Sequence, residues 1–449
     1  MGGEISMQQD NYFDEVYSDT DSKVRSRQIG NNAPFKKWAI PLASCFLLLF
    51  IGLGTFFAVY QNRSLKENSY SDVKLFTDGT LLYFTDVGKD NKLFSYDPVA
   101  QKIKAVTDEA VYEFYVNDEY YFYCNKSGLY SQDRKTGAKY PILEYGKEPP
   151  ERIKELDGKT LLDTPINEYC HDITEHQGSL FFVHDMSIDL KVDENTINGQ
   201  ENRVTLYRFD MEPKSLTKIK SDYHVSGIPV PPNPPKDSPD YDPDYTGFEH
   251  YKDISMNQLN IMDDGIYYRN GSGVHRLSMD GKDEKTVYAS SGIAHIYWHE
   301  TVFNCIENME SDLNSAVPIE DQEVGICCNA VNLKGEKTVC NKMTDEKTAR
   351  LNPADIYYDS KTDSYLVLLN KKLIRFSFDN PQEYITVAEV DQKIQNINTY
   401  NIITVGKRIF ISAYDGIART PLKNNDYYIM TVDDDNDMIP IIKNGKIAS

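Results

Sequence analysis

The fold this sequence predicts is an all-β architecture of repeated four-stranded units behind one lipid-spanning helix, and three observations predict it. A strand–turn–strand–turn–strand text recurs seven times along the 449 residues. Its turns carry glycine where tight hairpins need positive φ, as at Asp264-Gly265, Asp280-Gly281, Gly335-Glu336 and Asp415-Gly416. Upstream of every copy lies one long uncharged apolar run.

Taken in chain order, residues 1–37 are polar, acidic and poor in aliphatics, the composition of a disordered cytoplasmic tail. Their opening "MGGEIS" fits a myristoylation pattern, which a spanning helix makes redundant. Residues 38–60, "WAIPLASCFLLLFIGLGTFFAVY", hold no charge and would make roughly 34 Å of helix, enough for a hydrocarbon core of about 30 Å. Trp38 and Tyr60 bracket the run at interfacial depth, so membrane lipid is an expected partner of this segment. The run is too long for a signal peptide, and no small-x-small cleavage site follows it. Lys23, Arg25, Arg27, Lys36 and Lys37 outnumber Arg63, Lys66 and Lys74 across it. That bias sets the N-terminus in the cytoplasm and the C-terminal domain outside the cell membrane. A polar linker, 61–72, follows.

The clearest repeat is "IMDDGIYYRNGSGVHRLSMDGKDEKTVY", residues 261–288, and looser copies begin at Phe76, Val116, His176, Trp298, Ser360 and Val405. A shorter apolar run, such as "AVYEFYV", "ISMNQLNIM" or "IQNINTYNIITV", precedes most copies and supplies a fourth strand. Four-stranded units at a period of about 40–50 residues are the signature of a β-propeller. One twisted sheet cannot cover both of its faces, whereas a closed ring of sheets can. Seven blades are preferred over six or eight, spanning residues 73–432, with 433–449 as a C-terminal tail. Paired β-sandwiches would also give short strands but would not repeat one register seven times. Insertions at 144–169, 185–203 and 226–253 interrupt the pattern, and the last is too proline-rich for regular strands.

The net charge of -21 lies entirely after Arg63, because six acidic and six basic residues, Arg63 included, cancel over residues 1–63. Such a domain repels phosphate backbones, which excludes nucleic acid as a partner. Outside the apolar run the cysteines are Cys124, Cys170, Cys305, Cys327, Cys328 and Cys340. They fit either disulfides or buried thiols in strands, and the C-x-x-C spacing of zinc sites is absent.

Motifs for chemistry are few. No G-x-S-x-G elbow occurs, and "SLTK" at Ser215 stands without the companion motifs of S-x-x-K enzymes. His295 and His299 would share a strand face, but H-E-x-x-H is missing. Asp240, Asp242 and Asp244 alternate in "DYDPDYTGFEHYKD", as do Asp433, Asp435 and Asp437 in "VDDDNDM". Both lack the glycine and terminal glutamate of an EF-hand, leaving weakly bound Ca²⁺ as the one cofactor they suggest. The aromatic residues beside the first set, Tyr241, Tyr245, Phe248 and Tyr251, are the candidate partner-binding residues.

The text "DDGIYYRNGSGVHRLSMDGK" resembles YWTD-type and related propellers, and most closely a Gram-positive bacterial family carrying a domain of unknown function. Members of that family join a short cytoplasmic tail and one anchor to a tyrosine-rich extracytoplasmic propeller. The intact Tyr-Trp-Thr-Asp sequence is missing here, its nearest form being "YFTD" from Tyr83 to Asp86. The resemblance implies fold and topology and leaves the ligand open. The rim loops, 226–253 among them, make a binding or scaffold module at the cell surface, for a protein or glycan partner, the expected function. The alternative is an extracytoplasmic carbohydrate-active enzyme, a hydrolase or lyase, with carboxylates at the propeller channel.

Overall fold

In each repeat the second strand reads as an almost unbroken apolar run, because it is sandwiched between neighbouring sheets and buried on both faces. The structure, a computed structural model, describes residues 75–86, 91–147, 155–156, 159–191, 199–226, 253–298, 302–309, 325–343, 356–359, 362–369, 371–381, 383–390, 397–405, 408–415, 426–433, 436–444 and 446–448. All belong to one compact unit of the chain, Tyr70–Ser449. The expected tail (1–37), lipid-spanning helix (38–60) and linker (61–72) lie outside them. Among the described residues no helix is long and apolar enough to cross a membrane.

Leu75–Thr77 (β1), Leu82–Asp86 (β2), Lys92–Asp97 (β3) and Lys102–Ala110 (β4) form an antiparallel meander in chain order. The second unit repeats it with Glu113–Val116 (β5), Tyr120–Asn125 (β6), Gly128–Asp133 (β7) and Lys139–Glu144 (β8). A two-stranded ribbon, Glu155–Leu156 (β9) with Lys159–Thr160 (β10), comes next. The third unit is Ile166–His176 (β11), Ser179–Leu190 (β12), Gly199–Asp210 (β13) and Ser215–Ser226 (β14). The fourth is Asn257–Met262 (β15), Gly265–Asn270 (β16), Gly273–Leu277 (β17) and Glu284–Ala289 (β18). The fifth is Ile293–Trp298 (β19), Val302–Met309 (β20), Gly325–Asn332 (β21) and Lys337–Met343 (β22). The sixth is Ile356–Asp359 (β23), Ser364–Leu369 (β24), Lys372–Phe376 (β25) and Tyr384–Val390 (β26). The seventh among the described residues is Ile397–Val405 (β27), Arg408–Asp415 (β28), Asp426–Val432 (β29) and Asp437–Lys443 (β30), with Lys446–Ile447 (β31) on its edge.

Alternation along the second strands decides what each sheet touches. On β2, Tyr83 joins Phe114 and Tyr123 of the second unit, while Leu82 and Phe84 point the other way. On β12, Leu180 and Phe182 join Phe122 of the second unit, and Phe181 and Val183 join Ile266 of the fourth. Tyr267 of β16 packs with Phe303 of β20, and Ile306 of β20 with Tyr365 of β24. Leu366 of β24 packs with Ile411 of β28. Finally Phe410 of β28 packs with Phe84 of β2, so the last sheet covers the exposed face of the first. Sheets stacked face to face in a closed circuit are a β-propeller, and a pair of sandwiches is excluded.

Tyrosine fills these seams. Tyr83, Tyr123, Tyr267, Tyr268, Tyr365 and Tyr414 are among the largest fully buried side chains. A buried phenol needs a partner. Tyr83 donates to Asp78 at 2.7 Å, Tyr123 to Glu109 at 3.0 Å, Tyr267 to Asp264 at 2.9 Å and Tyr268 to Glu284. Tyrosine and carboxylate are thus used together, and part of the negative charge is absorbed in structure.

Three expectations change. Residues 433–449 are no tail, because Asp437–Lys443 completes the seventh unit as its outer strand. Residues 185–203 are no irregular insertion but the lengthened β12–β13 hairpin, paired out to Leu190 and Gly199. The insertion at 144–169 holds the β9–β10 ribbon and ends inside β11. Cys124, Cys170, Cys305, Cys327 and Cys328 are buried thiols in strands; the Cys340 side chain lies outside the described residues.

Candidate functional site

Strand direction sorts the loops onto two ends of the ring. Each first strand starts at the end that also carries the turn between the second and third strands. It finishes at the opposite end.

At the starting end the inner strands are irregular. The pairing register shifts between His171 and Thr174 on β11, between Asn257 and Asn260 on β15, and between Ile293 and His295 on β19. Asp172 and Gln258, the extra residues, take φ of 50° and 55°. Positive φ on a non-glycine residue is costly, and bulges of this kind re-aim side chains.

The bulge on β11 sets His171 between two carboxylates, Nδ1 at 2.8 Å from Asp172 Oδ2 and Nε2 at 3.3 Å from Asp185 Oδ2. The Tyr169 hydroxyl donates to the same Asp185 oxygen at 2.7 Å, and its ring stacks on His171 with centroids 5.3 Å apart. Burial works to lower the His171 pKa, but hydrogen bonds and charge from Asp172 and Asp185 override it and raise it to about 10. His171 is therefore an imidazolium at neutral pH, with a carboxylate against each ring nitrogen. It cannot accept a proton there.

His295 is the opposite case. Burial, and then the nearby Arg269 charge, push its pKa down to about 4. The Gln258 amide donates to Nδ1 at 2.8 Å, which leaves the ring proton on Nε2. Asp253 accepts from the Ser255 and Gly271 backbone N–H groups at 2.9 and 2.5 Å. Burial works to raise its pKa, yet those bonds and Arg269 hold it low.

The third unit is over-long at this same end. Its strands run 11 or 12 residues, against 4 to 6 in the second unit. The excess carries two exposed aromatic residues, Tyr169 at 49 % and Tyr223 at 48 %. The Arg203 guanidinium lies 5.5 Å from the Tyr223 ring centroid, on the strand paired with it.

The finishing end holds a cleft of about 630 Å³ lined by His176, Asn260, Met262, Asp263, Asp264, Trp298 and Leu333. Its carboxylates are already answered from within the chain. Gln177 donates to Asp263 at 2.7 Å, and Arg276 pairs with Asp264 at 3.1 Å.

The sequence-selected residues Asp240, Tyr241, Asp242, Asp244, Tyr245, Phe248 and Tyr251 lie outside the described residues, as do His299 and Asp435. Asp433 and Asp437 close a hairpin turn, with Asp433 Oδ1 accepting the Asp437 N–H at 2.8 Å. Among the described residues no group of three or more His, Cys, Asp or Glu side chains is placed to hold a metal ion. Sequence reading missed the His171 cluster. Its signal is the adjacent "HD" pair in a strand, which acquires meaning only once the bulge turns Asp172 toward the ring.

No protein-family model and no curated protein matches this chain. Solved structures similar to it include the AfRom2 CNH domain, at 11 % identity and TM-score 0.42, covering 81 % of this chain and 94 % of that one. The WD40 domain of Neurospora crassa Pan2 is 10 % identical at TM-score 0.41, over 80 % of this chain and 87 % of that one. A puromycin-hydrolyzing peptidase of Mycobacterium tuberculosis is 11 % identical at TM-score 0.44, over 83 % and 53 %. Likeness this distant carries nothing about activity or partners.

Proposed function

We propose that this chain is a membrane-anchored, extracytoplasmic seven-bladed propeller of the Gram-positive type its repeats resemble, serving as a binding or scaffold module. The partner, a protein or glycan at the cell surface, docks on the starting end of the ring. The observation that supports this is the over-long third unit, which lifts Tyr169 and Tyr223 into solvent on a rigid sheet. Aromatic residues held rigidly supply contact area at low entropic cost, for protein surfaces or sugar faces. Residues 227–252, with Tyr241, Tyr245, Phe248 and Tyr251, follow β14 of that unit in the chain. The carbohydrate-active alternative gains nothing from His171, whose proton is locked between Asp172 and Asp185.

The test presents the full chain, in nanodiscs, to an envelope-glycan array and to purified surface proteins. A specific binder should be lost on the double change Tyr169→Ser and Tyr223→Ser while the melting temperature holds. Binding indifferent to both changes would overturn the assignment of the face. Cleavage of a glycan by the wild-type chain would overturn the binding reading itself.

A further inference from the structure

An outer strand leaves one row of backbone N–H and C=O groups facing away from the sheet, and such edges invite pairing with other chains. Proteins discourage this with lysine and proline on the edge. Here β4 carries Lys102 and Lys104, β14 carries Lys218 and Lys220, β18 carries Lys285, and β22 carries Lys337 and Lys342. β8 and β30 combine lysine with proline, Lys139 with Pro141 and Lys443 with Pro440. Among the described outer strands only β26, "YITVAEV", has neither.

β26 instead exposes apolar surface, Tyr384 at 38 % and Ile385 at 63 %. Among the described residues its outer edge is met only by β30, in parallel register at Glu389–Asp437 and Val390–Met438. This edge therefore already accepts a strand at one end, while Tyr384, Ile385 and Thr386 are exposed beyond it.

We propose that the outer edge of β26 is a docking site where an extended, lysine- or arginine-flanked segment of a partner protein adds as a further strand. Main-chain hydrogen bonds would hold the segment, and Tyr384 and Ile385 would select apolar residues on it. The charge requirement follows from the surroundings. Glu383, Glu389 and Asp437 bracket the open stretch, with Lys372 answering Glu389 at 3.0 Å. A second copy is disfavoured, since each chain carries a net charge of -21 and would bring the same carboxylates against themselves. This surface lies on the rim of the ring, and its test is separate from that of the face proposed above.

The purified full chain is titrated into three fluorescein-labelled heptapeptides, KVTVTVK, EVTVTVE and KVTPTVK. Anisotropy should show binding of the first only, weakened about tenfold or more by Ile385→Lys at unchanged melting temperature. Backbone exchange at Tyr384 and Thr386, whose N–H groups face away from β25, should slow as KVTVTVK saturates. Equal binding of EVTVTVE, or wild-type affinity in the Ile385→Lys chain, would overturn the proposal. So would sedimentation that finds a dimer abolished by Ile385→Lys, which would make the occupant a second copy.

Discussion

Arg134 of the second unit reaches across the seam to Asp78 of the first, Nη2 to Oδ2 at 3.0 Å, with both side chains largely buried. The same carboxylate accepts from the Thr80 and Leu81 N–H groups and from the Tyr83 hydroxyl. Asp78→Ala leaves all of these donors without their acceptor, and should cost about 2–4 kcal/mol. Lys282→Ala removes an exposed pair with Asp280 and should leave stability almost unchanged. Urea midpoints of the two variants measure the difference.

Acid should loosen the seams. Burial works to raise the pKa values of Asp78, Glu109 and Glu284, but bonds from Leu81 and Tyr83, from Lys139 and Tyr123, and from Lys220 and Tyr268 hold them low. A carboxylate depressed in the fold stabilises fully above its unfolded pKa, and that contribution is lost as pH falls toward the folded value. The melting temperature should therefore fall below about pH 4.5, and more shallowly in Asp78→Ala. A melting temperature flat to pH 3 would contradict this.

The two histidines of the inner strands should titrate in opposite directions. His171, raised to about 10, contributes stability that is complete below about pH 6.5 and lost as pH rises through 10. His295, lowered to about 4, contributes stability that is complete above about pH 6.5 and lost as pH falls. Imidazole NMR should find His171 protonated at pH 8 and His295 neutral at pH 5.5.

Two turn glycines should prove far less replaceable than a third. Gly281 and Gly335 have φ of 75° and 87°, and a Cβ on each would lie 2.2 Å from Ile219 O and 1.9 Å from Val287 O. Each abuts the outer strand of the preceding unit, so alanine must push the units apart. Gly137, with φ of 74°, meets nothing within 4 Å. Gly137→Ala should cost about 1 kcal/mol for its backbone alone, and Gly281→Ala distinctly more. Thermal unfolding of the two variants checks the order.

Closure of the ring predicts that Phe410→Ala is as damaging as any interior truncation, about 3–5 kcal/mol. Phe410 is 1 % exposed although its partner Phe84 lies more than three hundred residues away. A loss below about 1 kcal/mol, read from denaturant unfolding, would mean the first and last sheets do not seal.

Much of this architecture was legible because its signal is local. The runs around Glu113–Val116, Asn257–Met262 and Ile397–Val405 read as first strands, and they are. Asp437–Lys443 was not legible, because an acidic run and Pro440 disguise an outer strand that needs only one dry face. The His171 cluster was equally hidden, since a bulge is a property of how two strands pair.

The sequence by itself determined strand text, turn chemistry, charge and the apolar run at 38–60, all written in neighbouring residues. Tertiary structure alone decided which carboxylates each tyrosine meets, where the third unit outgrows its neighbours, and that Phe84 closes on Phe410. Those outcomes depend on register and on contacts between distant segments, and no short stretch of chain encodes either.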